Sequence, residues 1–475
     1  MTVDTPPADD STVGTGADTP SSDTAEAAVT AAVSAAEAVL AQRFGSTVSL
    51  VDAEDLAGSG PATVVRARVA SSSFALPRTL VIKHYPGEPE AGQDDAFARE
   101  AASYQLFTAL SAADRTCPEI LAHNAEHRVL VIDDLGRAPT LDDKLRGSDA
   151  RAAETALLSW ARSLGRMHFS TANREADFNA LLRRLGKAGS GASAQNDGQV
   201  VPAAPPAHAA GDPADAVTAA PALLRETLGV DTAPEVVAVA ERAAEQARSA
   251  AFRAFSPVDL WPDNNLVTGD GVRFLDFERG RVRSALVDAA HMLVPFVSGP
   301  EPLALPSGMS EAMIASWRAE VADLWPSLTE EDTLSRYLLD AGLLLVWQAT
   351  WRWLPDLAAA GQDGSSGGAE RMTAAPPRQR AAALATWWRD LGRHADREGD
   401  PADGPAISAH AEAVATALDA RFGPDLQLPL YPAFPRPPPP PPTRRSRFAR
   451  CARWARTASG AQVGRARRLD RRRAR

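Results

Sequence analysis

Residues 255–278 read FSPVDLWPDNNLVTGDGVRFLDFE, and no other stretch constrains the fold as much. Two short apolar runs, 265–267 and 272–275, flank a turn of Gly269, Asp270 and Gly271, the pattern of a small β-hairpin. Closing that hairpin returns Asp276, at the exit of the second run, to the side of Asn264, at the entrance of the first. Asp259 lies five residues before Asn264, so two carboxylates and an amide converge.

Such a set suits phosphoryl transfer. Mg²⁺ is a hard cation that takes one or two oxygen ligands from a protein and leaves the rest of its shell to phosphates and water. Asn264 and Asp276 fit as those ligands. Asp259, kept off the metal, can orient an acceptor hydroxyl and take its proton. Taken singly, Asp259 could cap a turn and Asp276 could end a surface strand; the reading rests on the joint spacing.

An Asp, an Asn five residues on and a later Asp-Phe-Glu group (Asp276, Phe277, Glu278) resemble the catalytic segment of protein-kinase-like enzymes. With Pro262 inside the loop, the segment looks like the aminoglycoside phosphotransferase and choline kinase branch. One position departs: that branch usually has a structural His two residues before the catalytic Asp, and Pro257 stands there.

The resemblance implies an α+β, bilobal protein-kinase-like fold. A small antiparallel β-sheet N-lobe and a larger, mainly helical C-lobe would hold ATP and Mg²⁺ between them. Upstream residues agree with it. The run 79–85, TLVIKHY, is an apolar strand pattern with Lys83 inside it, and a buried ammonium needs a partner. Glu100, on a helical face that also carries Phe97, Tyr104 and Phe107, is the candidate. In the family such a pair fixes the lysine against the nucleotide phosphates. Between the first two strands, expected at 48–51 and 63–69, a turn containing Gly58, Ser59 and Gly60 could lie over those phosphates and offer backbone N–H groups. Two glycines in a turn are also simply a turn.

The resemblance places the adenine-binding link near residues 133–135. It reads LGRMH, ending at His168, as a helix whose packed histidine lies beneath the catalytic loop, and Asp288 as an anchor for that loop. Asp142 and Asp143 read as helix caps. Seven tryptophans, Trp317, Trp325, Trp347, Trp351, Trp353, Trp387 and Trp388, fall in the C-terminal helical region. Stripes of that kind are usually core, with room for one or two rings at an acceptor site.

Composition sets the domain limits. Residues 1–24 are too polar to bury a core and are expected to be disordered. An N-lobe over 25–135 and a C-lobe over 136–428 follow, with Gly/Ala/Pro/Ser-rich insertions at about 186–221 and 361–380. A proline-rich and then arginine-rich disordered tail covers 429–475. The net charge of −10 conceals a split: residues 443–475 hold 13 Arg and one Asp, and that +12 leaves −22 on residues 1–442. So acidic a body repels nucleic acid and suits cationic small molecules, although acidity also serves solubility. Cys117 and Cys451 are the only cysteines, which fits a reducing cytoplasm and excludes a disulfide framework. No segment is expected to reach membrane-spanning length.

The function expected is an ATP-dependent transfer of the γ-phosphoryl group to a hydroxyl of a small molecule, a sugar, amino sugar or amino alcohol. Pro257 and the few glycines of the first turn motivate an alternative, a catalytically inactive nucleotide-binding pseudokinase scaffold. Neither the acceptor, the choice of ATP over GTP, nor the oligomeric state follows from the sequence.

Overall fold

The central strands of the N-terminal sheet are apolar on both faces, and the elements around them follow from that. The computed structural model describes residues 22–57, 60–87, 89, 94–189, 213–297, 301–360 and 376–434. Five antiparallel strands, β1 (Ser49–Asp55), β2 (Thr63–Ser71), β3 (Thr79–His84), β4 (Ile120–Asn124) and β5 (Val129–Asp133), lie in the order β1-β2-β3-β5-β4. Side chains alternate across a strand. Leu80 and Ile82 of β3, with Val129 and Val131 of β5, therefore face helix α1 (Ser22–Phe44) and its Ala32, Ala36, Val39 and Leu40. Leu130 and Ile132 face the other way and join the main core with Phe97, Ala101 and Tyr104 of helix α2 (Ala96–Thr108). That same alternation puts Lys83 and Tyr85 on the α2 side.

Helix α1 corrects one expectation. It is long and apolar enough to cross a membrane by length and composition, where no segment was expected to reach that length. Its most buried residues nonetheless pack on the sheet.

Beyond the link at Asp133 the chain is mainly helical. Helices α3 (Leu141–Arg146), α4 (Ala150–Thr171), α5 (Glu175–Gly189), α6 (Pro213–Leu228) and α7 (Pro234–Arg248) precede two small sheets. Strands β6 (Arg253–Ser256) and β9 (Arg281–Ser284) form one; β7 (Asn265–Thr268) and β8 (Gly271–Phe274) form the other. Helices α8 (Ala285–Ala289), α9 (Met309–Val321), α10 (Glu331–Ala360), α11 (Pro377–Glu398) and α12 (Gly404–Phe422) complete it.

Two boundaries differ from those read in the sequence. Helices α5 and α6 enter the expected 186–221 insertion from both sides, because Val217, Ala220 and Leu224 join the core. Order also extends past 429: Leu430 pairs with Ala304, and Tyr431 is fully buried beside Phe296. The remaining residues of the expected tail lie outside the described ones, as do residues 1–21. Trp317, Trp347, Trp387 and Trp388 are core, and Trp347 and Trp388 donate to Ala216 O and Thr350 Oγ1.

Candidate active site

The hairpin forms with Asn265 opposite Phe274 and Thr268 opposite Gly271, so its loop is Gly269–Asp270. Several bonds pin it to the body: Val267 N donates to Pro139 O, Val272 N to Ser163 Oγ and Phe274 N to Thr116 O. One further ladder bond, Leu275 N to Asn264 O at 2.8 Å, seats Asp276 beside Asn264. Asp276 then leaves the strand with φ +61, a turn that directs its carboxylate away from the strand line.

Lys83 meets this segment from the sheet. Its Nζ lies 2.5 Å from Glu100 Oε1 and 2.7 Å from Asp276 Oδ1. Burial works against the ammonium charge, but Glu100 and Asp276 together raise its pKa above the ordinary lysine value. Glu100 is fully buried and carries three donors: Lys83 and Phe277 N on Oε1, and Tyr85 Oη–H on Oε2. Phe277 packs against Phe107, Phe255 and Tyr104, with ring centroids 5.5, 5.2 and 5.1 Å away. The middle residue of the Asp-Phe-Glu group thus fastens α2 to the segment that leaves the hairpin. Gly280 is required just after it, since a Cβ there would lie 2.7 Å from Ser103 Oγ and 2.8 Å from Phe255.

Asp259 sits in the loop between β6 and the hairpin and accepts Trp261 N at 3.2 Å. Burial raises its pKa above the usual carboxylate range and Asp276 adds to that, while the Trp261 N–H and the charges of Arg279 and Arg352 pull it down. Asp263 is pushed up to about 6 by burial and by Asp259, Asp142 and Asp276. Glu278 rises to about 7 through burial, Asp276 and Glu100.

Where the resemblance expects a His at 257, other residues brace the loop. Ser256 Oγ donates to Asp288 Oδ1 at 2.8 Å and accepts Val258 N at 3.0 Å. Asp288 is fully buried; Arg283 and His168 hold its carboxyl well below the usual range against the push of burial. Trp317 Nε1–H can only donate, so His168 Nδ1 accepts it at 3.0 Å and His168 Nε2–H donates to Asp288 Oδ2 at 3.2 Å. Val258 has φ +69, a conformation a β-branched residue adopts only when its surroundings impose it. The Ser256 hydroxyl, which accepts Val258 N–H, helps hold it there.

Of the residues singled out in the sequence, Lys83, Glu100, Asn264 and Asp276 come together, with Asp259 coupled electrostatically to Asp276. Gly58 and Ser59 lie outside the described residues. Gly60 approaches Glu278, whose Oε2 is 3.3 Å from where a Cβ would stand. Tyr85, Ser256, Arg283, Arg279 and Arg352 were missed. Ser256 alone had a signal, a hydroxyl one residue before the Pro that replaces the His.

The donors at the hairpin fit Mg²⁺, being hard oxygens from an amide and a carboxylate. Among the described residues no three His, Cys, Asp or Glu are grouped to hold a metal by themselves.

No protein-family model matches the chain, and no curated protein matches it. Solved structures do. A choline kinase from Cryptosporidium parvum is 10% identical with a TM-score of 0.43, over 76% of this chain and 93% of that one. A choline/ethanolamine kinase family protein from Mesorhizobium loti is 15% identical with a TM-score of 0.36, over 77% and 93%. A thermostable mutant of aminoglycoside phosphotransferase APH(4)-Ia, solved with AMP-PNP and hygromycin B, is 15% identical with a TM-score of 0.33, over 70% and 99%. The fold stands on its own elements, a five-stranded antiparallel sheet followed by a mainly helical part, the α+β arrangement expected from the sequence. Values this low leave the site to be judged on its own geometry.

Proposed function

We propose that the protein is an ATP-dependent phosphotransferase that moves the γ-phosphoryl group to a hydroxyl of a small molecule. The observation that carries this reading is the Lys83 ammonium, braced by Glu100, meeting Asp276 beside Asn264. A buried cation with two carboxylates, next to an amide oxygen and a separate carboxylate, has the composition of a phosphoryl-transfer site.

In this reading Lys83, braced by Glu100, grips the nucleotide phosphates. Asn264 and Asp276 would hold Mg²⁺, which when bound neutralises charge on the transferring phosphoryl oxygens. Asp259 orients the acceptor hydroxyl and takes its proton, and its raised pKa brings its basicity nearer to neutral pH. Gly60 lies over the phosphates. A sugar, amino sugar or amino alcohol is the acceptor, and the enzyme works in the cytoplasm.

The inactive-scaffold alternative leaned on Pro257. Ser256 and Asp288 supply a brace at that point, which supports the active reading. The test is a thermal-shift titration with ATP·Mg²⁺ paired with a mass-spectrometric screen of candidate hydroxyl acceptors. Stabilisation together with one acceptor gaining a phosphoryl group is expected; stabilisation with no transfer across a broad panel favours the scaffold.

A further inference from the structure

We propose that Tyr85 is a positioning residue for nucleotide binding: its hydroxyl holds the second oxygen of Glu100, and so fixes where Glu100 presents Lys83 to the phosphates. This rests on the phosphotransferase reading above.

Strand alternation makes the arrangement possible. Lys83 and Tyr85 are two residues apart, so both side chains leave the strand on the α2 side and reach the same carboxylate. Oε1 of Glu100 is taken by Lys83 Nζ at 2.5 Å and by Phe277 N at 3.2 Å. Oε2 is held by Tyr85 Oη–H. Each oxygen of a fully buried carboxylate is thereby engaged, and the plane of the group is set by contacts at both ends.

Tyr85 is itself held firmly. It is 3% exposed, its backbone N–H donates to Arg128 O at 3.0 Å, and its ring meets the edge of Phe97 at 6.0 Å. Phe97 stands three residues before Glu100 on α2, and the Arg128 guanidinium lies 5.4 Å from its ring centroid. Arg128 also pairs with Asp95, the residue that caps α2. The hydroxyl is therefore delivered by a clamped ring.

Without that hydroxyl, Oε2 loses its donor and the carboxylate can turn about its last bond. Lys83 then keeps Asp276 as its firm contact, the residue needed for the metal. Grip on the phosphates should weaken while the adenosine end of the site is untouched.

The experiment compares wild type, Tyr85→Phe, Phe97→Leu, Glu100→Gln and the double variant Tyr85→Phe/Glu100→Gln by calorimetric titration with ATP·Mg²⁺ and, separately, with adenosine. Tyr85→Phe is expected to weaken ATP·Mg²⁺ binding about tenfold, the scale of one lost hydrogen bond to a buried charge, with adenosine affinity unchanged. Phe97→Leu loosens the ring that clamps Tyr85 but keeps the hydroxyl, and should weaken ATP·Mg²⁺ binding by less than Tyr85→Phe, with adenosine affinity unchanged. In the Glu100→Gln background the buried charge is gone although the amide can still meet the hydroxyl, so adding Tyr85→Phe should cost less than it does in wild type. The proposal is overturned if Tyr85→Phe binds ATP·Mg²⁺ like wild type, loses adenosine equally, behaves as Phe97→Leu does, or adds its full effect in the Glu100→Gln background. A wild type that binds neither ligand contradicts the phosphotransferase reading itself, and Tyr85's assigned role falls with it.

Discussion

Lys83 Nζ and Asp276 Oδ1 are 2.7 Å apart although 193 residues separate them in the chain. That contact joins the sheet to the segment that leaves the hairpin. Glu100 shares the ammonium from the other side, so one cation is held by two carboxylates from two parts of the fold.

Lys83→Met therefore strands a fully buried carboxylate and, in the proposed function, removes the grip on the phosphates. A loss of about 3–5 kcal/mol of stability is the scale for breaking a buried pair from one side. Urea unfolding should give a lower midpoint, and turnover with ATP·Mg²⁺ should fall at least about a hundredfold, as befits a charged transition-state contact. Unchanged stability would contradict the buried-pair description.

Ser256→Ala tests the loop brace. It removes the donor to Asp288 and the acceptor of Val258 N, and Val258 then has less to hold it at φ +69. Displacing the loop moves Asp259 more than the nucleotide site. Steady-state kinetics should show kcat down about tenfold to a hundredfold, with nucleotide affinity held within a few fold. An equal loss in both would place the effect on global stability.

Arg352→Ala tests the electrostatics at Asp259. Burial raises the pKa of that carboxyl and Arg279 and Arg352 oppose the rise, so deleting one of these charges raises it further. Because Asp259 must be ionised to take a proton, the acid limb of the pH–rate profile should move to higher pH. Arg352 is exposed, so the shift should be less than about one pH unit and shrink in high salt. A shift to lower pH would contradict this placement of charge.

Much of this site was legible in the sequence. A Lys within an apolar strand, a Glu on an apolar helical face and an Asp-Asn-Asp spacing each announce a local need, and the hairpin turn states how two of them meet. What was not legible depends on tertiary contacts. Tyr85 reads as one more β-strand aromatic until Glu100 is placed opposite it. Ser256 and Arg283 are ordinary residues until the β6–β9 pairing sets them around Asp288. Arg352 lies on a helix whose pattern speaks only of burial. Helix α1 is legible as a helix, but its membrane-spanning length is not, because alanines give length and apolar character without an obvious apolar run.

His410 supplies a prediction on acid stability. It lies between Trp347 and Trp388, with ring centroids 6.0 and 5.4 Å away, and burial lowers its pKa to about 4. An unfolded histidine titrates near 6.5, so from about pH 6.5 down to about 4 the unfolded chain binds a proton that the folded chain does not. Stability from this group is intact above the window and is lost as the pH falls through it, by about 3 kcal/mol in all. Denaturant unfolding across that range should show a shallower pH slope for His410→Phe than for wild type. Parallel slopes would rule out His410 as a source, leaving His291, whose pKa is also lowered to about 4 by burial, to account for the dependence.

The central claim is that Asp259 does the chemistry while Lys83 and the hairpin hold the nucleotide. Its most direct test incubates purified wild type and Asp259→Ala with ATP·Mg²⁺ and a metabolite extract, follows phosphoryl gain by mass spectrometry, and measures ATP·Mg²⁺ binding of both in parallel. The account expects one or a few hydroxyl compounds to gain a phosphoryl group with wild type alone, and the two proteins to bind nucleotide equally. Transfer by Asp259→Ala at the wild-type rate, or loss of its nucleotide binding, would contradict it.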